Sequence, residues 1–145
     1  MRALLQRVTQ GRVTVDGRTV AEIGLGMVIL LGIGPQDTEE KALQLVRKIS
    51  LLRIFDDEQG KINRSILDVN GAAIVVSQFT LYADTRRGNR PSFTDAAPPD
   101  MARALVDRFA QLLAAQGVPT QTGEFGEHML VSIENNGPVT IWLEA

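Results

Sequence analysis

The stretch that most constrains this chain is Ala73–Ala83, which reads AIVVSQFTLYA. Its first half is apolar and β-branched, a composition typical of a strand buried in a core. The polar side chains of Ser77, Gln78 and Thr80 therefore follow a segment that has little freedom to move. Such rigid placement suits a binding or catalytic site. The alternative is that Ser77 and Thr80 only satisfy backbone groups where the strand leaves the core.

A second segment, Glu134–Thr140, joins two strand-like stretches near the end of the sequence. Its Gly137-Pro138 dipeptide predicts a turn, because glycine and proline interrupt regular structure. Peptide bonds before proline have a modest cis population, and a fixed cis bond in a tight turn usually has a specific use. The turn is therefore a second candidate for a functional element.

The two segments together, Ser77-Gln78-Phe79-Thr80 and Asn136-Gly137-Pro138-Val139-Thr140, resemble the D-aminoacyl-tRNA deacylases. The stretches Arg86–Phe93 and Met1–Val8 also resemble that family, so the likeness spans the whole chain. It implies hydrolysis of the ester bond of D-aminoacyl-tRNA, with release of the D-amino acid and the tRNA and with rejection of L-aminoacyl-tRNA. Whether glycyl-tRNA is also hydrolysed stays open. The likeness further implies that the ribose 2′-hydroxyl of the tRNA assists proton transfer.

The resemblance also implies a homodimer in which Gly137 and Pro138, joined by a cis bond, enter the pocket of the partner chain. The carbonyl groups of these two residues would screen the stereochemistry of the amino acid. An arginine at the position of Arg7 braces this loop in the family. Asn136 stands where the family most often has aspartate, which affects a capping contact of the loop and not the screening carbonyls.

Within the first motif, the resemblance implies that Ser77, Gln78, Phe79 and Thr80 form the catalytic segment. Relatives with a trans proline replace the phenylalanine, so Phe79 argues against that group. Met129 is implied to pack on the terminal adenine of the tRNA, and a core methionine is the alternative.

Composition limits the classes of protein that this chain can belong to. It has 145 residues, 44% of them hydrophobic, which suits a single domain with its own core. No apolar run approaches the roughly 20 residues of a membrane span, and the first residues lack the layout of a signal peptide, so we expect a cytoplasmic protein. With no cysteine and one histidine, His128, the chain predicts no disulfide, no thiol nucleophile and no zinc site. We expect neither a metal nor another cofactor.

The net charge of −2 excludes a globally basic nucleic-acid binder, so contact with RNA requires a local basic patch. Arg86, Arg87 and Arg90 form such a patch, in a loop that Gly88 and Asn89 make flexible. The patch predicts contacts with tRNA phosphates. An ordinary solvated loop is the alternative that charge alone leaves open.

An aminoacyl ester is already activated, so its hydrolysis needs a positioned water and donors aimed at the developing oxyanion. Backbone N–H groups around Gln78, Phe79 and Thr80 are the predicted donors. Direct attack by the Thr80 hydroxyl is the alternative, although no base is adjacent in the sequence. His128 is expected to be structural or exposed, because no triad motif surrounds it. Two further alternatives are a non-catalytic tRNA-binding module and a structural oligomer.

The order of predicted elements indicates an α/β fold with few long crossovers. One helix is predicted over Asp37–Arg53, with Asp37 as N-cap, and a second from Pro98 to about Gln116. The acidic stretch Asp56–Lys61 is predicted to be a surface turn, since it lacks the alternating ligands of a calcium loop. We predict a single domain over residues 1–145 with a mixed or mainly antiparallel, barrel-like sheet. Its predicted strands are Ala3–Val8, Arg12–Val15, Arg18–Ile23, Met27–Ile33, Ala73–Ala83, Thr120–Phe125, His128–Glu134 and Val139–Leu143.

Overall fold

The computed structural model describes all residues from 1 to 145. The fold begins with a long strand, β1 (Arg2–Val15), and a hairpin to β2 (Arg18–Ile23). Asp16 and Gly17 at the hairpin turn have φ angles of 48° and 74°. Two consecutive positive φ angles are what a two-residue hairpin turn of this kind requires, and Asp-Gly adopts them readily. The predicted hairpin is therefore confirmed.

The remaining elements are, in chain order, β3 (Gly26–Gly32), α1 (Glu39–Leu51), β4 (Phe55–Asp56), β5 (Ile62–Arg64), β6 (Ala72–Ser77), a 3-10 helix (Phe79–Tyr82), α2 (Pro99–Ala115), β7 (Thr120–Thr122) and β8 (Leu130–Glu144). β1 pairs antiparallel with β2 and β3 along one edge and with β8 along the other. β6 runs parallel to β3, and β7 runs parallel to β6. β4 and β5 form a separate hairpin.

The sheet curls until β2, its first strand, meets β7, its last. The side-chain amide of Gln121 makes the connection: it accepts from the Glu22 N–H at 2.9 Å and donates to the Glu22 carbonyl at 2.8 Å. The Gln121 side chain thus makes the two hydrogen bonds to the Glu22 backbone that a neighbouring strand would otherwise make. The predicted fold class, a mixed and barrel-like sheet with two α-helices, is confirmed.

Several predicted strand boundaries were wrong. The two strands predicted on either side of Gly11 are one strand, because β8 runs beside β1 over nearly its whole length. Gly11 marks close packing, since a Cβ there would lie 2.8 Å from Val28 Cγ2. For the same reason the two strands predicted after His128 are parts of β8. The strand predicted to reach Ala83 ends at Ser77, where the chain turns.

The predicted N-cap of the first helix was also wrong. Thr38 caps α1 by accepting a hydrogen bond from the Lys41 N–H at 3.4 Å. The Asp37 carboxylate turns back and accepts from the Gly34 N–H at 2.6 Å. The predicted surface turn after β4 is confirmed, with the Asp57 carboxylate accepting two backbone N–H groups of the turn.

β6 is a central strand of the sheet and is buried on both faces. Ala73 and Val75 face the larger core cluster, into which α1 and α2 pack, while Ile74 and Val76 face the smaller cluster beneath β2. Burial of both faces explains why this strand reads as a continuous apolar run. No helix of the chain combines the length and the apolar character that crossing a membrane requires.

Candidate active site

The first motif lies where β6 leaves the sheet. Ser77, the last residue of β6, pairs with Leu31 of β3, and the next N–H, that of Gln78, donates to the Leu31 carbonyl at 2.8 Å. The chain then enters the 3-10 helix, whose first hydrogen bond joins the Leu81 N–H to the Gln78 carbonyl at 3.2 Å. Gly32 makes room for this turn, because a Cβ there would lie 3.0 Å from the Gln78 carbonyl oxygen.

Two of the three predicted main-chain donors are open at this turn. The Gln78 N–H already donates to Leu31 and is not available to a substrate. The N–H groups of Phe79 and Thr80 precede the first hydrogen bond of the 3-10 helix, where N–H groups have no partner within the helix. The candidate oxyanion donors therefore reduce to the N–H groups of Phe79 and Thr80.

The Thr80 hydroxyl is exposed and accepts a hydrogen bond from the side-chain amide of Gln78. No carboxylate, imidazole or ammonium group is hydrogen-bonded to it. A hydroxyl nucleophile needs a base within hydrogen-bond reach. The arrangement therefore favours a positioning role for Thr80 over direct attack.

The motif forms one edge of a cavity of about 570 Å³, within the size range of small-molecule sites. The other walls come from the end of β3, the segment Phe93–Pro99, the first turns of α2, and Phe125, and they are mainly apolar. Phe79 and Phe93 meet edge to face, with ring centroids 5.0 Å apart. A cavity of this kind can enclose an apolar group while a polar bond is held at its edge.

A buried carboxylate, Asp37, holds the 3-10 helix from behind. It accepts hydrogen bonds from the Tyr82 hydroxyl at 3.3 Å and from the Gly34 N–H, and it pairs with the ammonium groups of Met1 and Lys41. Burial opposes its ionisation, but the hydrogen bonds and charges of these partners lower the pKa of Asp37. Burial and the Asp37 charge raise the pKa of the Tyr82 phenol. At neutral pH Tyr82 therefore donates to an ionised carboxylate.

Arg2 holds the same helix from its other side. Its guanidinium lies 4.3 Å from the centre of the Tyr82 ring and donates to the Leu81 carbonyl at 2.9 Å. It also pairs with Glu144 of β8 at 3.0 Å. The turn that carries the motif is thus fixed to one end of the β1–β8 pair, where Arg2 and Glu144 lie opposite each other.

The second motif is a bulge in the pairing of β8 with β1. The register skips Asn136–Val139, which stands opposite Arg7 alone. The Gly137-Pro138 peptide bond is cis, and Gly137 has a φ of 138°. A Cβ at Gly137 would lie 2.9 Å from Val139 Cγ2 and 3.0 Å from an Arg7 guanidinium nitrogen. Since this φ also disfavours side chains, only glycine fits the position.

The predicted contact between Arg7 and this loop is present. Arg7 Nε donates to the Asn136 carbonyl at 2.8 Å, while Nη1 donates to the Ile54 carbonyl at 2.8 Å and to the Asp56 carboxylate at 3.0 Å. The side chain is buried, with Asp56 as its counter-charge. A planar guanidinium can serve these three acceptors together, which a lysine ammonium on a flexible stem cannot do in the same geometry.

Asn135 makes the capping contact of the loop. Its amide accepts from the Val139 N–H at 2.8 Å and donates to the Val139 carbonyl and the Thr140 hydroxyl at 3.2 Å and 3.0 Å. The neighbouring Asn136 side chain is exposed and takes no part in these bonds. The loop is therefore closed without a contribution from the side chain at position 136.

The two motifs do not meet within one chain. The Gly137-Pro138 turn is level with Met27 of β3, whereas Ser77 is level with Leu31. This offset corresponds to about 13 Å along the strands, and the strand spacings from β8 to β6 add about 14 Å across them. No residue of the turn lines the cavity.

The predicted basic loop projects beside the cavity. Backbone hydrogen bonds of 2.7 Å and 3.0 Å between Asp84 and Ser92 close its base. Arg86 donates two nitrogens to the Asp84 carboxylate, at 2.8 Å and 2.7 Å, which holds the pKa of Asp84 far below its usual range. Arg87 and Arg90 are exposed and form no ion pair. The loop therefore offers two uncompensated cations.

The other predicted positions lie apart from the cavity. Met129 is half-buried, packs on the smaller core cluster and approaches Gly123, where a Cβ would lie 2.6 Å from its sulfur. This contact supports the alternative interpretation of Met129 as a core residue. His128 is exposed, as expected. No cluster of His, Cys, Asp and Glu side chains is arranged to hold a metal ion.

Sequence reasoning missed four residues that shape the site. Phe93 and Phe125 are far apart in sequence and meet the motif only in the folded chain. Asp37 is buried by residues that are distant in sequence, so no local sequence pattern indicates its role behind the 3-10 helix. Asn135 had one available signal, since an asparagine just before a turn often bonds the backbone that follows.

A family model described as D-Tyr-tRNA(Tyr) deacylase matches residues 4–144. The chain belongs to this family. A relative from Thermomicrobium roseum named D-aminoacyl-tRNA deacylase is 59% identical over 100% of this chain and 94% of its own length. A solved structure named c-Myc DNA Unwinding Element Binding Protein is 42% identical, with a TM-score of 0.94 over 100% of this chain and 99% of that one.

A second solved structure, of a probable eukaryotic D-amino acid tRNA deacylase, is 22% identical and has a TM-score of 0.83 over 98% of this chain and 97% of that one, so it shares the fold. The resemblance seen in the sequence is confirmed by the family match. The predicted enzyme class, a deacylase of the hydrolase type, is confirmed with it.

Replacing Asp37 tests the support behind the 3-10 helix. We expect Asp37→Asn to lower the free energy of unfolding at pH 7 by about 3 kcal/mol, because it leaves buried donors and a buried ammonium without their carboxylate. Since the folded pKa of Asp37 is lowered, its contribution is complete above about pH 4, the unfolded value, and is lost as the pH falls through the folded pKa. Urea unfolding of the parent chain and of Asp37→Asn, at pH 7 and at pH 3, gives the free energies of unfolding to compare.

The difference between Asp37→Asn and the parent chain should narrow at pH 3. Asp107→Asn, which replaces an exposed carboxylate that forms no ion pair, is the control and should change little at either pH. A deficit of the same size at both pH values would contradict an electrostatic role for Asp37.

Proposed function

We propose that this chain hydrolyses the ester bond of D-aminoacyl-tRNA and rejects L-aminoacyl-tRNA. The observation that carries the proposal is that Ser77–Thr80 forms the polar edge of an otherwise apolar cavity, in a chain that matches the deacylase family over nearly its whole length. In this reading the terminal adenosine enters the cavity and its aminoacyl ester rests against the polar edge.

The geometry of the motif supports a main-chain mechanism. Water adds to the ester carbon, and the developing oxyanion accepts hydrogen bonds from the Phe79 and Thr80 N–H groups. Each such donor is worth about 2.7–4 kcal/mol in comparable acyl-transfer sites. The bond to the ribose 3′-oxygen then breaks, and the adjacent 2′-hydroxyl gives its proton to that leaving oxygen while it takes up the proton that the added water loses. The Thr80 hydroxyl, oriented by the Gln78 amide, positions the water.

Discrimination between D- and L-aminoacyl groups needs a separate structural element, because apolar fit alone distinguishes similar ligands by only about 1–3 kcal/mol per methylene. We propose that the carbonyl groups of Gly137 and Pro138 obstruct the L-amino acid, since specificity of this order requires a repulsive element. The carbonyls of Gly137 and Pro138 belong to a backbone that Arg7 anchors at the neighbouring Asn136 carbonyl, so they cannot rotate away as a side chain can. Glycyl-tRNA offers no side chain to obstruct and should therefore also be hydrolysed.

The screen must come from a second chain, since the turn and the cavity of one chain are separated. We propose an isologous homodimer in which each turn enters the partner's cavity. Two observations support it: the turn is exposed, and the outer edge of β8 has no strand partner and carries the exposed apolar side chains of Leu130 and Trp142.

We propose Arg86, Arg87 and Arg90 as contacts to tRNA phosphates. Arg87 and Arg90 supply uncompensated charge, while the pair with Asp84 directs Arg86. A non-catalytic nucleic-acid-binding module is the second candidate function. It is favoured by this loop and by the name of the 42% identical structure, which refers to binding DNA.

Ester loss from D- and L-tyrosyl-tRNA distinguishes these functions. We expect hydrolysis of the D-substrate at least about 100-fold faster than that of the L-substrate, because a repulsive screen exceeds what apolar fit alone provides. Acid-gel or filter assays of the remaining aminoacyl-tRNA measure both rates. Tight binding of tRNA with no ester loss would overturn the enzymatic proposal in favour of the binding module.

Thr80→Val separates the two catalytic mechanisms. It keeps the shape of the side chain and deletes the hydroxyl, so a positioning role predicts a single-turnover rate lower by about 10- to 100-fold, the cost of one or two hydrogen bonds. Thr85→Val, at an exposed threonine outside the cavity, is the matched control and should leave the rate unchanged. An acyl group trapped on Thr80, or a rate equal to the uncatalysed one, would favour the nucleophile.

Mixed dimers test the screen between chains. Gly137→Ala forces a Cβ against Arg7 and should spoil the turn, while Ala102→Trp fills the cavity of its own chain. Each variant alone should be inactive or lose discrimination. An equal mixture should regain sites that discriminate D from L at about a quarter of the parent number, because half the dimers are mixed and each holds one complete site. No recovery, in a mixture whose heterodimers are detected by mass spectrometry, would disprove the exchange.

A further inference from the structure

A cation without a counter-ion stands at the rim of the cavity. The guanidinium of Arg103, in the first turns of α2, lies 4.8 Å from the centre of the Phe125 ring. Phe125 is part of the cavity wall, as are Ala102 and Val106, the neighbours of Arg103 on the helix. A Cβ on Gly126, another wall residue, would lie 4.0 Å from an Arg103 nitrogen. The charged end of the side chain is thus held beside the cavity opening.

Arg103 forms no ion pair with the carboxylates of its own helix. Asp100 and Asp107 precede and follow it at the spacings that favour ion pairs along a helix, yet it pairs with neither. Arg108 of the same helix, by contrast, does form an ion pair, with Glu39 of α1 at 2.7 Å. A guanidinium stacked on an aromatic ring keeps its N–H groups in the plane and open to an anion. The orientation of Arg103 therefore favours an external anionic ligand.

We propose that Arg103 binds the phosphate group on the 5′ side of the substrate's terminal adenosine. The proposal rests on the proposed function, because it places that nucleoside in the cavity. The ester and the 5′-phosphate lie on opposite sides of one nucleoside, so a nucleoside whose ester rests on the polar edge presents its phosphate at the rim. A phosphate and a guanidinium match in geometry and charge. Arg103 is thus a binding residue for the substrate backbone.

Two minimal substrates isolate this contact: 3′-O-D-tyrosyl-adenosine and its 5′-monophosphate, which differ only in the phosphate. We expect Arg103→Gln to reduce kcat/KM about tenfold for the phosphorylated substrate, through KM, because one charge-assisted contact is lost. The unphosphorylated substrate should react at an unchanged rate. Arg103→Lys should restore part of the loss, and Arg108→Gln, at the paired arginine of the same helix, should affect neither substrate.

Equal losses on both substrates would overturn the proposal and reduce Arg103 to a packing partner of Phe125. No loss on either substrate would overturn it too. Calorimetric binding of amide-linked, non-hydrolysable analogues with and without the phosphate gives a readout that does not depend on chemistry. A preference for the phosphorylated analogue that disappears in Arg103→Gln supports the contact even if no ester is hydrolysed, an outcome that would refute only the proposed function. Hydrolysis without such a preference would refute only the contact.

Discussion

The register of β6 against β3 is the constraint on which the rest of the site depends. Because β6 is buried on both faces, a slip by one residue would exchange the side chains of its two core clusters. The register therefore fixes Ser77 opposite Leu31 and commits the next N–H to the Leu31 carbonyl. Only after that bond can the chain turn, and the turn leaves the N–H groups of Phe79 and Thr80 without partners. The candidate oxyanion donors thus follow from how a buried strand ends.

β1 supports both motifs from different positions along its length. Arg2, near its start, holds the 3-10 helix, and Arg7, further along, holds the Gly137-Pro138 bulge. Their sequence separation is odd, so their side chains leave opposite faces of the strand. Arg2 and Arg7 lie on the same rigid strand, but their side chains do not contact each other. A change in the bulge can therefore alter the proposed screen without disturbing the donors.

Local patterns in the sequence predicted the features that depend on local geometry. The Asp16-Gly17 hairpin, both helices and the interruption at Gly137 follow from turn chemistry and periodicity. Features set by distant partners could not be predicted in the same way. β1 continues past Gly11 only because β8 lies beside it, and Asp37 is buried only because Tyr82 and the first residue reach it. The loss of Gln78 as a donor likewise depends on the pairing with β3.

The ester hydrolysis proposed for this site depends more on the positions of the water and the hydrogen-bond donors than on a reactive side chain. An activated ester needs no strong nucleophile, so a motif whose hydroxyl lacks a base is sufficient if the donors and the water are held in place. Substrate selection then depends on what surrounds the ester. A chain with a net charge of −2 attracts a polyanion only through cations that its own carboxylates leave unpaired. Arg87 and Arg90 lie in the loop whose base, Asp84 and Ser92, directly precedes the wall residue Phe93, and Arg103 lies against the wall residue Phe125. The apolar cavity between them would then fix where along the nucleic acid these cations bind.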